Sequence, residues 1–247
     1  MGADHEVVVA PAAGGDAAVM GNNRKLARKL EEVAALAKPV MMQHLAQLRD
    51  CSGVSAAKRQ RCGSSGGRVE DDVSPQEYLQ RILYERGYET ELIPATLQPF
   101  FRPPHDKQIE DYDMNLVGAV KRGDIETLRQ LADTGRRMDA CNKHGESIVH
   151  ISCRRGNVEI LRFLLDHGAR VDICDDLGRT PLHDACWAKD PVFECVTAIL
   201  ERDLRLLRIS DCRGASPLAY IKRDHWPAWR QFFDMKKEQY WAYRNAP

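Results

Sequence analysis

Three side chains that could take part in covalent chemistry lie within one helical turn of one another: His183, Asp184 and Cys186. A histidine beside a cysteine can activate the thiol as a nucleophile, but this chemistry also needs a third group that orients the base. The sequence offers no such group. We therefore interpret the histidine and the cysteine as structural residues and expect no catalytic residue.

Metal and phosphate sites also lack their usual sequence patterns. The eight cysteines include no C-x-x-C pair, and no histidines stand at the spacing of paired metal ligands. The Gly/Ser stretch from Gly63 to Gly67 has no helix after it, so it does not match a phosphate-binding loop. We expect no metal, no cofactor and no enzymatic activity. The histidines that stand alone are His105, His144, His167 and His225.

The stretch from Asn142 to Asp172 predicts a turn followed by two short helices. Gly145 suits the turn because glycine adopts a positive φ without a steric penalty. Ser147 can cap the first helix, Gly156 ends it, and Gly168 ends the second. Two helices this short cannot bury an apolar face by themselves, so copies should stack on either side.

The same pattern recurs thirty-three residues later, where Gly178 and His183 take the places of Gly145 and His150. The segment from Thr180 to Ala185 reads Thr-Pro-Leu-His-Asp-Ala, and a period of about 33 with this core is an ankyrin signature. The region from Asp111 to Tyr243 therefore resembles the ankyrin repeat family.

This resemblance implies an all-α solenoid of about four helix-turn-helix repeats with short hairpin turns. The composition of the residues before the repeats predicts a flexible, partly helical N-terminal arm. The resemblance also implies that His150 and His183 form hydrogen bonds within the turns and tie adjacent repeats together. Cys153 and Cys186 then occupy small core positions.

The sequence divides into three parts. We expect residues 1–73 to be a disordered or partly helical basic arm and linker, residues 74–104 to be a capping helix and a proline-rich extended segment, and residues 105–245 to be the ankyrin repeat domain. Ser74 and Glu77 form a capping box at the start of the capping helix. We predict that Phe100 and Phe101 pack on the first repeat and extend the array at its N-terminal end.

The end repeats depart from the pattern in ways that suit their position. The last helix should bury Trp229, Phe232 and Phe233, while its remaining charged residues face solvent as a cap requires. In the third repeat, an insertion of two residues around Lys189 to Pro191 should lengthen the turn between the helices.

Composition limits the class of protein. The formal net charge is zero, and no apolar run approaches the roughly 18 residues that a membrane helix needs. The N-terminus lacks the pattern of a secretory signal, and the cysteines read as reduced thiols. We expect a monomeric cytoplasmic protein; Lys58 to Arg61 also fits a short nuclear-import pattern, which keeps nuclear entry open.

The resemblance places a concave partner-binding surface on the hairpin tips and on the ends of the first helices. Most of its residues are basic, with Trp187 and Leu177 near the middle, and such arginine and tryptophan residues often dominate binding energy. The other interpretation is that surface Arg and Lys only keep the array soluble. The predicted partner-binding residues are Lys121, Arg122, Lys143, His144, Arg154, Arg155, Leu177, Arg179, Trp187, Arg213 and Arg223.

Two functions follow as hypotheses. The first is a non-catalytic scaffold or adaptor that binds a protein partner through an acidic or amphipathic segment. The alternative is a nucleic-acid-associated regulatory protein that uses the basic stripe and the basic N-terminal arm; aromatic stacking positions are too few to favour it.

Overall fold

The computed structural model describes residues 73–244. The predicted N-terminal arm, apart from Val73, lies outside these residues, as do residues 245–247. The described region is mostly helical, which fits the all-α class, and it contains one pair of two-residue parallel strands. Its α-helices are α1 (Pro75–Glu85), α2 (Asp106–Glu110), α3 (Met114–Arg122), α4 (Ile125–Asp133), α5 (Ile148–Arg155), α6 (Val158–Asp166), α7 (Pro181–Trp187), α8 (Phe193–Leu200) and α9 (Trp226–Tyr240). The strands are β1 (Ile93–Pro94) and β2 (Ile209–Ser210), and short 3-10 helices cover Ala95–Leu97, Leu204–Arg208, Pro217–Tyr220 and Arg223–His225.

The helix boundaries follow from local capping. The Ser147 hydroxyl accepts a hydrogen bond from the His150 N–H at the start of α5, and Gly156 ends that helix at φ 66°. Asn157 then caps α6 through the N–H of Ile160 at 3.1 Å. These boundaries confirm the predicted turn and helix pair.

Helices α3, α5 and α7 pack side by side, with α4, α6 and α8 in a second row behind them. The interior of this double layer is built from fully buried aliphatic side chains of both rows, such as Leu116, Ile148, Leu164 and Leu182. Consecutive helix pairs thus share one continuous core, which is how repeat arrays become stable.

The turns between paired helices also stack on one another. A Cβ at Gly123 would lie 2.5 Å from the side-chain nitrogen of Asn157, and one at Gly156 would lie 2.6 Å from a methyl group of Val192. Each turn therefore touches the next along one edge, as the predicted solenoid requires. The turn between α7 and α8 is longer than the others, in agreement with the predicted insertion.

The last unit differs from the others in both of its helices. Its first helix is reduced to the 3-10 turn Pro217–Tyr220, and its second, α9, is the longest helix of the described region. Trp229, Phe232 and Phe233 are buried, which confirms the prediction for the closing helix.

The charged side of α9 faces solvent only in part, which corrects the prediction, because α1 packs against it. Arg230 donates to the Val73 carbonyl at 2.7 Å, and the Tyr78 hydroxyl donates to Asp234 at 2.8 Å. Helix α1 therefore caps the C-terminal end of the array, opposite to the first repeat.

From α1 the chain returns to the first repeat through residues 93–110, which we call the strap. It consists of β1, a 3-10 turn, an extended proline-containing stretch and α2. The strap meets the same hairpin position of three successive units: Pro94 pairs with Ser210, the Phe100 carbonyl lies 4.0 Å from the Cys174 sulfur, and the Gln108 carbonyl accepts from the Cys141 N–H at 3.1 Å. The strap thus runs along the array in the direction opposite to the repeats.

This path corrects the prediction for Phe100 and Phe101. The strap starts at the last unit and runs toward the first repeat, so Phe100, in its middle, lies beside the hairpin that precedes α7. Phe100 is half-buried there, and Phe101 remains 37% exposed. Neither residue extends the array at its N-terminal end.

No helix within residues 73–244 combines the length and the apolar character needed to cross a membrane.

Candidate protein-interaction face

Each hairpin tip is held by a side-chain turn at the same repeat position. One carboxylate oxygen of Asp175 accepts from the N–H groups of Leu177 and Arg179, at 3.0 and 2.8 Å. Asn142 and Asp211 make the equivalent pairs of bonds in the neighbouring hairpins. Such Asx turns fix the backbone conformation of each tip, so the side chains of the tip start from fixed backbone positions.

Histidines connect each hairpin frame to the next. Nδ1 of His150 lies 3.1 Å from the Ser147 nitrogen, and its Nε2 lies 3.0 Å from the Arg179 carbonyl of the next hairpin. His183 repeats this arrangement with Thr180 and Ala215. The role that the resemblance implied for these histidines is confirmed.

The same contacts occupy the groups that resembled a Cys/His pair. Both ring nitrogens of His183 are engaged with Thr180 and Ala215, and burial raises the pKa of Cys186 well above the usual thiol value. A thiol in this environment is a poor nucleophile. Within residues 73–244, no group of three or more His, Cys, Asp or Glu side chains is placed to hold a metal ion.

The predicted partner-binding residues occupy the hairpin tips and the ends of the first helices, which we call the binding face. Several of its basic side chains are already paired with carboxylates of the same protein, so the face is not the uniformly basic stripe that the sequence predicts. The paired residues are Arg122 with Asp124 at 3.6 Å, His144 with Asp176 at 2.9 Å, Arg154 with Glu146 at 2.7 Å and Asp184 at 2.9 Å, and Arg179 with Asp175 at 2.6 Å.

Four cations of the binding face make no ion pair with any residue in the range 73–244: Lys121, Lys143, Arg155 and Arg213. All four side chains are exposed. They supply the positive charge that this face can offer a ligand, because the carboxylate beside a paired arginine largely neutralises the charge of that arginine. Arg223 stands apart from them, with its guanidinium 5.6 Å from the ring centre of Trp226.

The centre of the binding face is an arginine packed on a tryptophan. The Arg154 guanidinium lies 5.7 Å from the ring centre of Trp187, within cation–π range. Trp187 is 51% exposed, so much of the indole stays open to a ligand. Two carboxylates hold the guanidinium in place, one of them the buried Asp184, which it contacts with two nitrogens.

Asp184 was not among the predicted partner-binding residues, although it positions Arg154 together with Glu146. The period of thirty-three places Trp187 beside Arg154, and Asp184 lies three residues earlier on the same helix face. The register of the repeats was therefore sufficient to find Asp184 as a partner of Arg154.

A cleft of about 500 Å³ separates the strap from two of the hairpins. Two guanidinium–carboxylate pairs, Arg137 with Asp139 and Arg170 with Asp172, line its wall. Each arginine lowers the pKa of its aspartate, so both pairs remain charged at neutral pH. The cleft lies beside the strap and is lined by none of the predicted partner-binding residues.

Comparison with known proteins identifies the repeats. A family model described as ankyrin repeats (3 copies) matches residues 116–220, a range that begins in α3 and ends in the 3-10 turn Pro217–Tyr220. No curated protein matches the chain. The match coincides with the stacked helix pairs and the histidine-linked hairpins, and this chain is an ankyrin repeat-containing protein.

Proposed function

We propose that the protein is a non-catalytic interaction module, a scaffold or adaptor that binds a protein partner on the binding face. Ankyrin repeats in general mediate protein–protein interactions. The proposed ligand is an acidic or amphipathic segment of the partner. Fold alone does not assign a function to a repeat scaffold, so the proposal rests on the chemistry of this face.

The observation that carries the proposal is the exposed indole of Trp187 on a face that also carries four exposed cations without an ion pair to any residue in the range 73–244. Tryptophan and arginine are the residues that most often dominate binding energy, especially where neighbouring groups hold them rigid. Here Asp184 and Glu146 fix Arg154, which in turn supports one side of the indole. An ordered aromatic surface of this kind loses little entropy when a ligand packs on it.

The pairing of the other basic residues favours a protein ligand over nucleic acid. Binding along a phosphate backbone gains affinity with each unpaired cation that contacts a phosphate, so every internal ion pair on this face lowers the affinity it can offer nucleic acid. Arg122, Arg154 and Arg179 are already matched by carboxylates.

The test compares the full chain with a Trp187→Ala, Arg155→Glu double variant in affinity capture. Both side chains are exposed, so we expect an unchanged melting temperature. Partner affinity should fall at least about tenfold, as is typical when a tryptophan anchor is lost. Arg154 is kept, because its removal would leave the buried Asp184 without a partner and would confound binding with stability.

A Met235→Ala, Lys236→Glu variant is the matched control, since it changes an exposed apolar residue and a cation on α9, away from the binding face. Equal capture by the double variant and the unchanged chain would refute the proposal. Capture that disappears after nuclease treatment would instead support the nucleic-acid alternative.

A further inference from the structure

The binding face repeats one residue position along the array. Lys121, Arg154 and Trp187 are separated by thirty-three residues each, and they occupy the C-terminal ends of the side-by-side helices α3, α5 and α7. The contact between Arg154 and Trp187 shows that this register brings neighbouring positions together. Packed helices lie about 8–10 Å apart, so the row offers one binding position per interval of that length.

The apolar content of this row is small. On α3, α5 and α7, the large apolar side chains that are exposed are Met114, at the start of α3, and Trp187, at the end of α7. An amphipathic helix binds by laying several apolar side chains, spaced over two turns, into an apolar groove. A single indole flanked by cations does not provide such a groove.

An extended ligand fits the row better. A polyproline II segment places every third side chain on the same face and advances about 9 Å over three residues, close to the spacing of the helices. A proline or an aliphatic side chain can pack on the open side of the indole. Carboxylates at the next two equivalent positions would then lie near Arg155 and Lys121, which make no ion pair with other described residues.

We propose that the binding face recognises an extended acidic segment in the polyproline II conformation, with a proline or aliphatic residue on Trp187 and carboxylates three and six residues away along the row. This inference rests on the proposed function and selects, from the acidic or amphipathic ligands considered there, the extended acidic class. The spacing of three residues is imposed by the distance between the repeats.

The experiment measures the binding of fluorescein-labelled peptides to the full chain by anisotropy at low salt. The test peptide is a nine-residue proline-rich sequence with leucine at the second position and aspartate at the fifth and eighth, and a second peptide carries the reverse order. One comparison peptide has the same composition with the three residues adjacent to one another. Another is an alanine-rich helix with leucine and two aspartates on one face at seven-residue spacing, which also matches the repeat distance.

We expect one of the two spaced peptides to bind at least about tenfold more tightly than the peptide with adjacent residues and than the helix. Trp187→Ala and Lys121→Glu should each weaken this binding severalfold, whereas the Met235→Ala, Lys236→Glu control should not. The inference is overturned if neither spaced peptide shows saturable binding, if the adjacent arrangement binds as well, or if the helix binds more tightly.

Failure of this inference can be told apart from failure of the proposed function. If the helical peptide binds more tightly than the spaced peptides and the Trp187→Ala variant abolishes that binding, the binding face is retained and only the extended conformation of the ligand is refuted. If neither the peptides nor the captured partners respond to changes in Trp187 and Arg155, the binding face itself is wrong.

Discussion

His183 is held in one tautomer by its hydrogen bonds. Its Nδ1 accepts a hydrogen bond from the Thr180 backbone N–H, at 3.0 Å between the two nitrogens. The ring proton must therefore lie on Nε2, where it points at the Ala215 carbonyl. A second proton on Nδ1 would face the Thr180 N–H and break the cap of α7. Burial, the largest influence, lowers the pKa of His183 to about 4.

Stability should therefore depend on His183 in mildly acidic solution. The unfolded chain binds this proton with a pKa near 6.5, more readily than the folded chain, so protonation favours unfolding. The contribution of neutral His183 to the free energy of unfolding is complete above about pH 6.5 and is lost as the pH falls toward 4. About 2 kcal/mol of this contribution is lost by pH 5. Urea denaturation at pH 7 and pH 5 measures this loss.

His183→Gln is the companion variant for this measurement. It should be less stable at pH 7 because the cap is weakened, but it should lose less stability between pH 7 and pH 5. Parallel pH profiles for the two proteins would contradict the assignment to His183.

At the scale of elements, α1 is attached to α9 by an arginine that follows its last turn. Arg86 is only 5% exposed and donates to the carbonyls of Trp241 and Lys237, at 2.7 and 3.1 Å. It also pairs with Glu238, whose carboxylate is largely exposed. The buried Trp241 carbonyl depends on Arg86 for its hydrogen bond, whereas Glu238 retains access to water, so the two partners of this ion pair should not be equivalent.

We predict that Arg86→Met lowers the free energy of unfolding by about 2–4 kcal/mol, since it leaves the buried Trp241 carbonyl without its donor and removes one of the two hydrogen bonds to the Lys237 carbonyl. Glu238→Gln should cost much less stability than Arg86→Met, because ion pairs of exposed carboxylates contribute little. Chemical denaturation of both variants gives the comparison. Equal losses would show that the ion pair, and not the carbonyl contacts, attaches α1.

The whole described region is organised by the strap as well as by repeat stacking. Ankyrin-type arrays normally gain stability only from neighbouring repeats. Here residues 93–110 connect the hairpins of three successive units, and α1 fixes the start of the strap to the last unit. Folding of these units should consequently be coupled more tightly than nearest-neighbour contacts would provide.

Ala95 provides the test of this coupling. It is fully buried and lies against Gly178, which has no room for a larger side chain, whereas Leu97 on the same 3-10 turn is 75% exposed. Ala95→Glu should bury a charge, destabilise the protein by at least about 2 kcal/mol and raise hydrogen exchange in α1 and in the hairpins before α7 and around Ser210.

Leu97→Glu is the matched control and should change stability by less than about 0.5 kcal/mol. If Ala95→Glu increases exchange only within the strap itself, the strap does not couple the repeats.

The sequence by itself determined the repeats and their local architecture. The period of thirty-three residues, the caps at Ser147 and Thr180, and the glycines that end the helices act over a few residues, so they could be recognised along the chain. The buried aromatic residues of α9 followed from the same register, and the histidine links were implied by the resemblance to ankyrin repeats. The pair of Arg154 and Asp184 is compatible with that register, because it joins equivalent helices of neighbouring repeats.

Only the tertiary structure decided where α1 and the strap go and which basic residues remain available to a ligand. Arg86 and Glu238 are 152 residues apart, and Phe100 and Cys174 are 74 apart. No local pattern encodes such pairings, because an amphipathic helix or a proline-rich stretch is compatible with either end of the array. The charge of the binding face was likewise fixed by folding, since a cation can attract a ligand only if no carboxylate of the same chain has been placed beside it.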